Sequence, residues 1–172
     1  YIGLQHHDGS LTDYIINTDK VKDFEAFLNE ANIDCRLVVV DVMDSQELAF
    51  DFGDKKILFR DIMSTGTSAL MLFYCWYQHI ISSEVSFVFI DEFDAFYHHE
   101  LSRLVVRKLI DSGVQFVLTT HNTSIMSNDL MRPDCYFLIY KSRLLPLSKC
   151  TERELREAHN NKKIYKSGAF HV

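Results

Sequence analysis

Two stretches decide how this chain is read: FVFIDEFDAFYHHE at residues 87–100 and VQFVLTTHN at residues 114–122. The first begins as a short, wholly apolar run and the second as an apolar run broken only by Gln115, and they end in polar residues, Asp91 and Glu92 in the first and Thr119, Thr120 and His121 in the second. Between them, residues 100–111 carry apolar side chains at helical spacing until Gly113 stops the pattern. Two continuous apolar strands joined by a helix predict a β-α-β unit, with a parallel sheet covered on both faces. The polar residues would then stand at the C-terminal ends of the strands, where open α/β sheets bind their ligands.

Working outward, residues 20–31 place Val21, Phe24, Phe27 and Leu28 on one helical face, and an apolar run at 37–40 predicts a strand. Residues 48–52 and 57–59 flank a turn-forming break at Gly53, the signature of a hairpin. Residues 68–81 are apolar over too great a length for an ordinary strand, so a helix starts beside Gly66. Beyond Pro133, residues 135–140 and 144–147 read as another strand pair around Lys141-Ser142-Arg143. Thr151-Glu-Arg-Glu opens a charged helix with capping-box chemistry. The expected class is α/β, with an antiparallel edge.

Composition narrows the function classes. With 172 residues the chain is long enough for one core. A net charge of -6 gives no support to nucleic acid as a partner, because a surface that neutralises phosphate backbones is basic. Cys35, Cys75, Cys135 and Cys150 are widely spaced, form no C-x-x-C pair and read as reduced thiols of a cytoplasmic protein. No apolar run approaches the roughly 20 residues of a membrane span, so no membrane partner is expected. The chain opens at Tyr1 rather than Met and goes at once into ordered-looking sequence, so an upstream portion is expected.

Three segments carry chemistry. Neighbouring residues on a strand point apart, so Asp91 and Glu92 suit different tasks. In phosphoryl-transfer sites one carboxylate holds Mg2+ through its water shell and another orients the attacking water. Ending a buried strand and capping the next turn is the structural alternative. His121 can donate a hydrogen bond to a phosphate oxygen, or serve as an ordinary surface residue after a strand. Ser64-Thr65-Gly66-Thr67 precedes a long helix, where a hydroxyl and exposed N–H groups suit an anion, though a simple N-cap would look the same.

In that order, a Ser-x-Gly segment opening a helix, an apolar strand ending Asp-Glu and a strand ending in His resemble the ABC-type ATPases, a branch of the P-loop NTPases. Residues 63–67 look like a variant of that family's signature motif, residues 87–92 like its Walker B strand and His121 like its switch histidine. Residues 91–98, 120–124 and 163–170 are similar to stand-alone prokaryotic ATPases of AAA-like type, some of which belong to phage-defence or abortive-infection systems. The resemblance covers most of residues 61–170, which divides the chain into a lead-in at 1–60 and the C-terminal portion of an ABC-type ATPase domain at 61–172. Thr65-Gly66 stands where the signature usually has two glycines, Thr67 where it has glutamine, and His99 where the narrower group often has proline.

The resemblance implies ATP and Mg2+ as ligands. It assigns Ser64, Thr65, Gly66 and Thr67 to a partner's nucleotide, Asp91 to Mg2+, Glu92 to the attacking water and His121 to the γ-phosphate. It also implies a homodimer closed around nucleotide, acting on some effector protein. One element is missing from the sequence: none of Gly3, Gly9, Gly53, Gly66, Gly113 and Gly168 is followed by Lys and then Ser or Thr, so there is no Walker A loop. The N-terminal part of the fold, with that loop, is expected from an upstream segment or another chain. By itself this chain is not expected to hydrolyse ATP.

A catalytically inactive interaction module is the alternative. A metal-dependent nuclease using Asp91, Glu92 and Asp94 needs further acids at other strand ends, and the next strand offers His121 instead. His6-His7-Asp8 and His98-His99 read as solvated residues, and the aromatic run 73–77 as packing.

Overall fold

The hairpin expected around Gly53 is one part of a three-stranded antiparallel sheet of order β1-β2-β3, formed by Leu37–Val42, Ser45–Asp51 and Lys56–Leu58. This computed structural model describes residues 11–82 and 85–150. The His6-His7-Asp8 segment, the charged run after Thr151 and residues 163–170 lie outside the described residues. Val40 stands opposite Glu47, and Ala49 opposite Leu58. Gly53 makes the second turn with φ +87, a conformation that costs glycine nothing, while its N–H donates to Asp51 Oδ1 at 2.9 Å. The first turn, at Met43 and Asp44, joins β1 to β2 without a glycine, which is why the sequence pattern did not reveal it.

The chain divides into two compact units, residues 1–89 with 108–116, and residues 90–107 with 117–172. In the first unit, α1 (Leu11–Asn17), α2 (Val21–Glu30), α3 (Phe59–Ile62) and α4 (Thr65–Ile81) accompany the antiparallel sheet. Phe24, Phe27 and Leu28 recur at helical spacing on α2 and are buried. Phe24 lies 4.9 Å from Tyr74 of α4 and 5.8 Å from Phe59 of α3, ring centroid to centroid, and Phe59 stacks on Phe50 of β2 at 5.0 Å. Such pairs add about 0.5–1.5 kcal/mol each beyond the area they bury. The aromatic run 73–77 therefore packs, as its helical setting predicts: Phe73, Tyr74 and Cys75 are buried. Tyr74 donates its hydroxyl to Asp23 at 2.5 Å, and Gln78 donates to the same carboxylate oxygen at 3.1 Å, tying α4 to α2.

Helix α5 (His99–Ser112) buries Leu101, Val105, Val106 and Leu109, a face repeating every three to four residues, and Gly113 at φ +71 ends it. Strands β4 (Phe87–Ile90) and β5 (Gln115–Leu118) form a two-stranded sheet. The Thr119 N–H donates to the Ile90 carbonyl at 3.1 Å, and the Thr119 carbonyl accepts from the Phe93 N–H at 3.1 Å. One residue bonding to two different residues, before and after the acidic turn, is a parallel pattern, since antiparallel pairs exchange both bonds with one partner.

The two strands differ from the expectation in one respect. Phe87, Phe89 and Val117 are 49%, 59% and 45% exposed, and both strands alternate exposed and half-buried residues. Continuous apolar composition predicted cover on both faces, whereas this pair has one solvated face. Such a face on so apolar a strand is a surface that favours association with further polypeptide.

In the second unit, β6 (Phe137–Tyr140) and β7 (Arg143–Pro146) form the antiparallel pair read around Lys141. Leu138 and Leu145 stand opposite one another and pack on Met126, Tyr136, Leu147 and Cys150. The Tyr136 hydroxyl lies 2.8 and 2.7 Å from the Ile125 and Ser127 carbonyls and accepts the Ser127 N–H at 3.2 Å, which fixes the loop after β5. All four cysteines are free, and burial pushes the Cys75 thiol up to about 12, so it stays protonated and unreactive. Among the described residues, no helix is long and apolar enough to cross a membrane.

Candidate active site

At the C-terminal end of β4 the chain turns sharply. Ile90 is the last strand residue, and Glu92 takes a φ of +46. Positive φ is uncommon for a side chain of this kind and costs on the order of 1 kcal/mol or more, so it persists only where the surroundings hold it. Here the holding group is Thr119, just past the end of β5. Its hydroxyl donates to the Asp91 carboxylate and accepts the Glu92 N–H at 2.8 Å, using both of its hydrogen-bonding capacities on the acidic turn.

The next hydroxyl repeats the arrangement one step along. Thr120 donates to Asp94 Oδ1 at 2.6 Å and accepts the Asn122 N–H at 2.8 Å. Asn122 then caps the short 3-10 turn Thr123–Ile125 through its side-chain oxygen, which accepts the Ser124 N–H at 2.9 Å. Phe93 is buried beneath this turn, and Tyr97 follows it, with its phenol pushed up to about 12 by burial. The second oxygen of Asp94 is also buried and has no hydrogen-bond partner among the described residues.

Two exposed side chains meet in the solvent. His121 is 93% exposed and Glu92 63%, and His121 Nε2 lies 3.6 Å from Glu92 Oε1. An exposed pair at that distance contributes about 0–1 kcal/mol to stability, so packing does not account for it. Asp91 and Glu92 thus diverge as neighbouring residues at a strand end should: one meets a hydroxyl, the other an imidazole.

The predicted Ser64–Thr67 segment lies in the first unit. Ser64 is the N-cap of α4, its hydroxyl accepting the Thr67 N–H at 3.1 Å and lying 2.9 Å from Thr67 Oγ1. Thr65 and Gly66 are the first two helical residues, and Thr67 is buried. The hydroxyl of Ser64 is therefore engaged by its own helix, as the capping alternative foresees.

Among the described residues, no three His, Cys, Asp or Glu side chains converge as a metal site. His98 and His99 are both exposed. Mg2+ at nucleotide sites ordinarily takes only one or two carboxylates and completes its shell with phosphates and water. Asp91, with a hydroxyl beside it, fits that limited contribution. Sequence reasoning singled out Asp91, Glu92 and His121, which the structure brings together, but assigned no task to Thr119 and Thr120. Their hydroxyls, adjacent and immediately before the histidine, were the available signal.

The family model described as "AAA domain, putative AbiEii toxin, Type IV TA system" matches residues 13–127, more than half of the chain. The matched span includes Ser64 to Thr67, the acidic turn and His121. No curated protein matches the sequence.

Proposed function

This chain belongs to that AAA-domain family, and from that premise we propose that it supplies the hydrolytic strand tips of an ABC-type ATPase acting as a nucleotide-driven dimerisation switch. One observation carries the reading. Glu92 and His121 meet in the open at the ends of two hydrogen-bonded parallel strands, with Asp91 anchored beside them.

Each residue has a task in this reading. Asp91 would hold the water shell of Mg2+, which would supply charge neutralisation on the transferring phosphoryl group. Glu92 accepts a proton from water as its oxygen attacks the γ-phosphorus; the bond to the bridging oxygen breaks, and ADP leaves with that electron pair. His121 donates a hydrogen bond to a γ-phosphate oxygen and so distinguishes ATP from ADP. Ser64, Thr65, Gly66 and Thr67, at the start of α4, face the nucleotide of a second copy, where N–H groups and the helix dipole favour negative charge. Closure of two copies around ATP and their release after hydrolysis then drive an effector protein in a prokaryotic defence system. The Walker A loop comes from an upstream segment or another chain, which also covers the solvated face of β4 and β5.

The test uses this chain together with an upstream segment carrying Gly-x-x-x-x-Gly-Lys-Ser/Thr. Glu92→Gln should lower ATP turnover about 10²–10⁴-fold, the usual worth of a general base, and should accumulate a nucleotide-bound dimer in size-exclusion chromatography. Equal turnover by variant and parent would remove Glu92 from the mechanism.

The six glycines, none followed by Lys and then Ser or Thr, favour a second reading, an interaction module that retains the fold without turnover. In that case Glu92→Gln leaves effector-dependent function unchanged in cells.

A further inference from the structure

We propose that Asp94 and Thr120 are positioning residues for His121, forming a hydroxyl latch that holds the imidazole against Glu92. The role of His121 rests on the reading above, but the latch itself is argued from geometry alone.

An imidazole that is 93% exposed is not held by packing, so its place is set by the backbone on either side of it. On both sides of it that backbone is tied to the same hydroxyl, beside the strand bonds of Thr119 and the turn bonds of Asn122. Thr120 Oγ1 reaches Asp94 Oδ1 at 2.6 Å and receives the Asn122 N–H at 2.8 Å, so residues immediately before and after His121 share a single anchor on the acidic turn. Thr119 makes the corresponding connection to Asp91 and to the Glu92 backbone. The acids on either side of Glu92 are therefore tied to the two hydroxyls preceding His121, and only Glu92 keeps its side chain for the histidine.

The orphaned oxygen of Asp94 supports a positioning task. Burying a carboxylate with one oxygen unpaired is unfavourable, and a residue chosen for stability alone would be apolar or fully bonded. A charged acceptor makes the stronger bond to a hydroxyl, and that is the bond the latch requires. A displacement of the acidic turn then moves His121 through two hydrogen bonds, without direct contact between Asp94 and the imidazole.

The experiment uses the 172-residue chain without nucleotide, labelled in its histidine rings, with the His121 resonance identified by its loss in His121→Asn. Glu92→Gln should displace that resonance in the parent. Thr120→Val, which keeps the shape and removes the hydroxyl, should move the resonance toward that of a free imidazole and abolish its response to Glu92→Gln. Asp94→Ala should do the same, and Thr120→Ser should restore the parental behaviour. Thermal unfolding of each variant is followed alongside; because the readout is local, a midpoint change without a His121 change counts against the latch. The proposal is overturned if Thr120→Val keeps both the parental resonance and its response, or if Thr120→Ser is as impaired as Thr120→Val. No nucleotide enters the measurement, so its outcome is independent of whether Glu92 proves catalytic.

Discussion

The packed region around α4 and the strand tips beyond β4 and β5 use the same kinds of side chain for opposite ends. Around α4 most polar groups are spent on the fold: the Ser64 hydroxyl caps its own helix, and Tyr74 and Gln78 share the Asp23 carboxylate, although Trp76 Nε1 is buried with no hydrogen-bond partner among the described residues. At the strand tips the hydroxyls of Thr119 and Thr120 bridge to another segment, a glutamate sits at positive φ, a buried carboxylate oxygen has no partner among the described residues, and a glutamate and a histidine meet in water. Positive φ and an orphaned buried atom also occur singly elsewhere, at Met43 and at Trp76 Nε1, so it is their combination with an exposed acid–imidazole pair that sets the strand tips apart. The contrast separates residues that build the molecule from residues to which the proposed function gives a task.

That contrast makes measurable claims. The largest effect should come from Phe24→Ala, which empties the centre of the aromatic cluster and should cost about 3–5 kcal/mol in chemical denaturation. Loss of less than about 1 kcal/mol would mean that this region is not the stabilising half.

Acidification should weaken the same region through Glu25. Burial opposes its ionisation, but the Leu37 N–H and Lys22 outweigh it and hold its pKa below the ordinary 4.5. A depressed carboxylate contributes stability above its unfolded value and loses it as pH falls through the folded one. The midpoint should therefore fall as pH drops below about 4.5, and Glu25→Gln should flatten that dependence.

Ser64→Ala should cost about 1 kcal/mol as the loss of an N-cap, while Ser64→Asp, which keeps an acceptor, should cost little. A negligible cost for Ser64→Ala would move Ser64 from the first list to the second. The smallest effect belongs to His121→Ala, expected within about 0.5 kcal/mol of the parent because the side chain is solvated. A large destabilisation there would erase the distinction between the two regions.

Much of the architecture was legible because it is local. Helix α2 follows from the spacing of Phe24, Phe27 and Leu28, and α5 from its apolar face and the glycine behind it. The β6–β7 pair was legible from two apolar runs around a polar turn. The β1–β2 pairing was not, since Met43 takes positive φ without any turn residue to announce it. The exposure of Phe87 and Phe89 was hidden too, because composition states what a strand prefers to bury and not what is available to cover it.

By itself the sequence determined that Asp91, Glu92 and His121 end apolar strands, because hydrophobic runs and their polar terminations are written in consecutive residues. Only the tertiary structure decided that Thr119 and Thr120, 26 to 28 residues from the acids they bind, would serve as their partners. The pairing of β4 with β5 brings those groups together, and such a pairing depends on long-range packing that no local pattern encodes.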